Sequence, residues 1–136
     1  MKKLLFVCIE NAGRSQMAEA FAKKYGADKF IVSSAGNKPA DKVNPVVVEA
    51  MKERGIDIST NKPKQLTAQM AMNADLIVTM GCNSEEMCPG PFFKPTIDWA
   101  LEDPKGKPLE KVREIRDEIE QRVKKLITEE TGGHLE

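Results

Sequence analysis

The apolar positions of the chain follow two rhythms. Residues 2–7 carry an almost continuous run of Leu, Phe and Val behind two lysines, the pattern of a strand buried on both faces. From Ser15 onward Met17, Ala18, Ala20, Phe21 and Ala22 cluster as one face of an amphipathic helix, so the chain begins strand, tight loop, helix. A second β-rich run covers residues 30–34 and breaks over 36–43. Asn44 and Pro45 then supply the N-cap and first-turn residue of a helix that ends near Gly55. Thr67 is placed to cap a short helix leading to Ala74, and residues 75–80 (DLIVTM) are the clearest buried strand in the sequence. A loop with two cysteines is expected over 81–91 and a last short strand within 92–98. Pro108 starts a long helix whose apolar stripe is Val112, Ile115, Ile119, Val123 and Leu126, stopped by Gly132 and Gly133.

Strands alternating with helices predict an α/β fold with a parallel sheet covered on both faces, because right-handed crossovers place helices there. The length of 136 residues suits a single domain over 1–136, with no internal repeat or low-complexity linker. Ligands of such sheets bind beyond the carboxyl ends of the strands. The Cys8 loop and the Cys82 loop both follow strands, so both are expected at that one edge.

Composition narrows the chemistry. Apolar residues make up 40% of the chain and charged residues 31%, enough to bury a core. Lys plus Arg and Asp plus Glu are equal at 21 each, so no overall positive field draws nucleic acid or an anionic membrane, and any anion site must be local. No segment approaches the roughly 20 apolar residues that span a bilayer, and the N-terminal apolar run is too short for a signal-peptide core. The expected compartment is therefore the reducing cytoplasm, where cysteines tend to be catalytic or metal-binding. Three cysteines then call for a chemical explanation.

Cys8, Ile9, Glu10, Asn11, Ala12, Gly13, Arg14 and Ser15 form a Cys-x5-Arg-Ser sequence between the first strand and the first helix. A loop entering a helix can turn its free N–H groups inward as an anion nest, and the helix dipole adds positive potential. Arg14 offers a planar fork to two oxyanion oxygens. Cysteines in such fields ionise readily, which would aim a Cys8 thiolate at the centre of a tetrahedral anion. Ser15 can donate a hydrogen bond to that sulfur, and Gly13 allows close backbone approach. The bland alternative makes Cys8 a small buried apolar residue and Arg14 a surface charge.

These residues resemble the low-molecular-weight protein tyrosine phosphatase fold and, within it, the thioredoxin-coupled arsenate reductases. The resemblance runs through VCIENAGRSQMAEAF, the SSAG after the second strand, NADLIVTM, GCNSEEMCPG and DWALEDPKGK. It implies a three-layer, flavodoxin-like domain with a four-stranded parallel sheet. It also implies Cys8 as nucleophile, Arg14 as oxyanion clamp, Ser15 as thiolate-stabilising hydroxyl, Asn11 as a loop-shaping residue and Asp103 as general acid. A carboxylic acid beside a bound dianion suits proton donation; a plain Asp-Pro turn is the alternative at Asp103.

Tyrosine phosphatases of this fold usually carry an aromatic residue after the Asp-Pro, whereas Lys105 follows here. A phosphatase also needs no further cysteines, while Cys82 and Cys88 stand six positions apart after a strand. Arsenate must gain two electrons, and two thiols becoming a disulfide supply two. The expected relay runs from a Cys8–arsenate thiol ester to a Cys8–Cys82 disulfide, then to Cys82–Cys88, which thioredoxin or a similar dithiol protein reduces. Reduced thioredoxin is thus the electron donor, no cofactor is tightly bound, and phosphate or sulfate compete with arsenate. Phosphatase activity on small phosphoesters or phosphotyrosine is the runner-up, and a silent anion-sensing module the third reading.

Cys-x5-Cys is not the spacing of structural zinc, and the one histidine, His134, reads as terminus. Some reductases of this kind bind potassium near the anion loop, and Asn11, Glu19 and Ser34 match positions that serve there. The Lys-rich stretch before Thr67 offers no further acidic ligand. Trp99, Met70, Met72, Met80 and Met87 read as packing residues.

Overall fold

A computed structural model describes residues 2–80 and 96–130. Among the described residues four strands and four helices follow in the order β1 (Lys2–Cys8), α1 (Arg14–Gly26), β2 (Phe30–Gly36), α2 (Pro45–Lys52), α3 (Ala68–Asn73), β3 (Leu76–Thr79), β4 (Thr96–Asp98) and α4 (Leu109–Glu130). The sheet runs β2-β1-β3-β4 with every pairing parallel, the flavodoxin-like arrangement expected from the sequence. Val7 pairs with Ala35 on one side and Thr79 on the other, and Thr79 pairs with Asp98, so all four strands end at one edge.

The pleat decides which way Cys8 points. Successive side chains of a strand alternate between faces. Leu4, Phe6 and Cys8 enter the larger core with Met17, Phe21 and Val47 and the stripe Val112, Ile115, Ile119, Val123 and Leu126. Leu5 and Val7 enter the smaller core with Ile77, Leu66 and Ala74, covered by Met70 and Ala71 of α3. Cys8 therefore faces the layer of α1, α2 and α4. Trp99 packs here too, its ring 5.9 Å from that of Phe6.

The capping signals form as read. Asn44 accepts from the Val46 N–H at 2.9 Å ahead of Pro45, and Thr67 accepts from the Met70 N–H at 3.1 Å. At the other end of α2, Glu53 accepts from Arg113 and Arg116 of α4. Hydrogen bonds from Arg113 and then Arg116 hold its carboxyl down to about 2, an ion-pair brace that seats α2 on α4. Met72 is a correction, because it is 70% exposed and does not pack as expected. In a short helix with one covered face, Met70 and Ala71 occupy that face and Met72 does not. The expectations at 81–91, including Met87, and at Gly132, Gly133 and His134 lie outside the described residues. Among the described residues no helix is long and apolar enough to cross a membrane.

Candidate active site

The anion loop is built by turning its carbonyl groups outward. The carbonyls of Cys8, Ile9, Glu10 and Ala12 accept from the N–H groups of Asn37, Lys38, Ala40 and Asn44, at 3.3, 2.8, 3.0 and 2.9 Å. A trans peptide points its N–H opposite to its C=O, so the N–H groups of the following residues face into the loop. Asn11 shows the result directly: its N–H donates to the Cys8 sulfur at 3.2 Å. The positive φ of 51° at Asn11 makes the turn, in a left-handed conformation that asparagine tolerates better than most residues. Beyond the loop Gly13 starts α1, whose N-terminus carries no side-chain cap among the described residues. That leaves first-turn N–H groups and the positive end of the dipole toward the loop.

Cys8 is 3% exposed and its sulfur lies 2.8 Å from the Ser15 hydroxyl. Ser15 in turn accepts from the Asn11 side-chain amide at 2.6 Å, which leaves its own hydrogen for the sulfur. Arg14 is no surface charge: it is 4% exposed and donates to the Leu101 carbonyl at 2.9 Å. Its other terminal nitrogen is 3.7 Å from the Asp103 carboxylate. Asp103 fits both of its readings, since one carboxylate oxygen accepts from the Lys105 N–H in a turn while the residue also lines the cavity. That cavity, of about 260 Å³, is bounded by Cys8, Arg14, Lys42, Asp103, Lys105 and the loop backbone. Lys105 pairs with Glu10 at 3.1 Å across its rim. The volume suits a small oxyanion met by one buried guanidinium and a ring of N–H groups.

Two glycines set the position of the loop. A Cβ on Gly13 would come within 2.8 Å of Pro104, so Gly13 lets the Asp-Pro turn close over the sulfur. A Cβ on Gly36 would meet the Ile9 carbonyl oxygen at 2.7 Å and the Asn11 nitrogen at 2.8 Å, both backbone atoms that cannot swing aside. Gly36→Ala should therefore push the anion loop off the end of β2. We expect at least a tenfold loss of kcat/KM on any substrate of Cys8, on the order of the penalty for displacing a site by an ångström. Wild-type kinetics in a folded Gly36→Ala protein would show that the loop yields without consequence.

Asn11, Glu19 and Ser34 also come together beneath the loop. The Asn11 amide nitrogen donates to Ser34 at 3.0 Å, and Ser34 donates to Glu19 in a short hydrogen bond. The Asn11 carbonyl oxygen accepts from Gln16 at 3.0 Å and from the Lys64 N–H at 2.9 Å. Glu19 faces the Lys23 ammonium at 2.7 Å and the Lys64 ammonium at 3.5 Å. These atoms do not fit a potassium ion, which needs oxygen lone pairs turned toward a common point. Here those lone pairs are taken by N–H, O–H and ammonium donors. Gln16 and Lys64 were not singled out from the sequence, because nothing local to either residue says that it closes on Asn11. Cys82 and Cys88 lie outside the described residues.

Comparison with known proteins agrees with this geometry. The model of the low molecular weight phosphotyrosine protein phosphatase family matches residues 3–132. An arsenate reductase of Brevibacillus brevis is 42% identical over 132 residues, covering 96% of each chain. A solved structure described as an arsenate reductase in the phosphate binding state superposes with a TM-score of 0.85 at 39% identity, covering 95% of this chain and 98% of its own. A thioredoxin-dependent arsenate reductase of Corynebacterium glutamicum gives a TM-score of 0.76 at 36% identity, covering 95% of this chain and 60% of that one. With the Cys-x5-Arg-Ser loop, the parallel sheet and the match over nearly the whole sequence in agreement, the chain belongs to the low molecular weight phosphotyrosine protein phosphatase family.

Proposed function

We propose that this protein reduces arsenate to arsenite in the cytoplasm, with thioredoxin or a similar dithiol protein as electron donor. The observation that carries the reading is the Cys8 sulfur, set 2.8 Å from Ser15 in a cavity that also holds Arg14 and Asp103. The relatives' names supply the substrate, and the Corynebacterium neighbour supplies the donor class.

The loop N–H groups and Arg14 bind arsenate with its arsenic atom facing Cys8. The thiolate attacks arsenic while Asp103 protonates the departing oxygen, so an S–As bond forms and an As–O bond breaks with loss of water. Cys82 then attacks the Cys8 sulfur. The S–As bonding pair stays on arsenic, As(V) becomes As(III), arsenite leaves, and Cys8–Cys82 is a disulfide. Cys88 attacks Cys82, frees Cys8 as thiolate and leaves Cys82–Cys88 for thiol–disulfide exchange. β3 ends at Thr79, beside Val7 of β1, and the Met80 N–H donates to the Val7 carbonyl at 3.0 Å. The described part of β3 and Met80 thus end, two residues before Cys82 in sequence, next to the strand that carries Cys8. Phosphate or sulfate would compete in the loop, since both match the tetrahedral anion.

Asp103→Asn keeps the turn but cannot give a proton. Formation of the Cys8 adduct should slow by roughly 10² to 10⁴, the usual worth of a positioned general acid. A variant with the wild-type rate and pH profile would reduce Asp103 to its turn. The function itself is tested by arsenate-dependent NADPH oxidation with thioredoxin and thioredoxin reductase under oxygen-free conditions. Turnover is expected. Hydrolysis of para-nitrophenyl phosphate without any arsenate turnover would instead assign the chain to phosphoester chemistry.

A further inference from the structure

We propose that Lys64 is a positioning residue that serves as a built-in cation for the anion loop, so that the nucleophile is organised without a bound potassium ion. The inference rests on Cys8 being the nucleophile, and it concerns the support beneath it.

Lys64 grips both ends of one chain of hydrogen bonds. Its main-chain N–H donates to the Asn11 carbonyl oxygen at 2.9 Å, and its ammonium lies 3.5 Å from the Glu19 carboxylate. Its own carbonyl accepts from the Gly36 N–H at 2.8 Å, which fixes its backbone to the end of β2. Glu19 is 6% exposed, and a buried carboxylate of this kind is held by paired charges. Lys23 takes one of its oxygens from within α1 and Lys64 faces the other from outside the helix.

The consequence is direction. With its carbonyl oxygen engaged by Lys64 and Gln16, Asn11 must turn its NH2 toward Ser34 and Ser15. Ser34, receiving one of those hydrogens, donates its own to the Glu19 carboxylate. Ser15, receiving the other, donates its own to Cys8. Each donor in the series is aimed by the one before it, and one branch ends at a carboxylate paired with two lysines. Without the Lys64 ammonium the buried Glu19 carboxylate loses one of its two paired charges, so its position is less fixed, and with it that of the Ser34 hydroxyl and the Asn11 amide. Arg14, Glu10 and Asp103 also bear on the sulfur from the cavity side, but none of them touches this series.

The test combines two measurements on the full chain. The first is the rate of Cys8 alkylation by iodoacetamide at fixed pH, resolved from Cys82 and Cys88 by peptide mass spectrometry. Lys64→Met should slow it roughly three- to tenfold, the scale on which a partly exposed charge modulates a coupled site. Lys64→Arg should restore it. Potassium or ammonium chloride should partly rescue Lys64→Met, because a small cation can then approach Glu19. The second is the melting temperature of the wild-type protein in potassium chloride against sodium chloride. It should be the same in both, since a ligand that binds the folded state raises it.

A folded Lys64→Met protein with wild-type alkylation overturns the role of Lys64 while leaving Cys8 as nucleophile. A potassium-specific rise in wild-type melting temperature overturns the built-in cation even if the variant cannot be folded. Wild-type Cys8 reacting no faster than an unperturbed thiol would instead remove the nucleophile reading, and this inference with it.

Discussion

Cys8→Ser should abolish arsenate reduction together with any phosphoester hydrolysis, lowering each by roughly 10³ or more, because a serine hydroxyl is scarcely ionised near neutral pH and cannot replace the thiolate. The loss is not a folding effect. Cys8 is buried at the end of β1, but serine is close to it in size and can keep the contacts that Ser15 and the Asn11 N–H make with the sulfur. The anion site should survive, since Arg14 is held by the Leu101 carbonyl and the loop by its outward carbonyl bonds, neither of which uses the sulfur. Phosphate should therefore still bind, as calorimetry can show, while both activities vanish. A Cys8→Ser protein that keeps either activity near the wild-type rate would remove Cys8 from its role.

Cys82→Ser separates the two chemistries. Reduction should fall below detection, because the S–As bonding pair is released to arsenic only when a second thiolate attacks the Cys8 sulfur. Hydrolysis of a phosphoester should stay close to wild type, because water resolves a phosphocysteine with no thiol. Assays of both activities on one preparation decide the matter. Parallel loss of both in a folded variant would contradict the relay and place Cys82 in the architecture instead.

The fold was legible because its signals are local. The apolar run before Cys8, the Asn44-Pro45 and Thr67 caps and the stripe from Val112 to Leu126 each state their element within a few residues. The geometry of the Cys8–Ser15 loop was legible for the same reason: Cys8, Arg14 and Ser15 need only the strand before them and the helix after them. What the sequence did not carry was contact at long range. Lys64 reaches Asn11 across the chain only once β2 and the segment after α2 are in place, and the role of Gly36 depends on which backbone passes over it. Met72 misled because in a helix of six residues the covered face takes two side chains and the pattern cannot say which. Potassium was suggested by side chains that do meet, yet the direction of their hydrogen bonds, invisible in a sequence, offers it no cage.

The most direct measurement is a single turnover by the reduced protein, with arsenate in excess and no thioredoxin. Arsenite and remaining thiols are counted per chain, and the disulfide is located by mass spectrometry after alkylation and digestion. The account predicts about one arsenite and the loss of two thiols per chain, since one disulfide supplies two electrons. The linkage should be Cys82–Cys88 in the wild type and Cys8–Cys82 in Cys88→Ser. Arsenite formed with all three thiols intact, or no arsenite while para-nitrophenyl phosphate is hydrolysed, would contradict it.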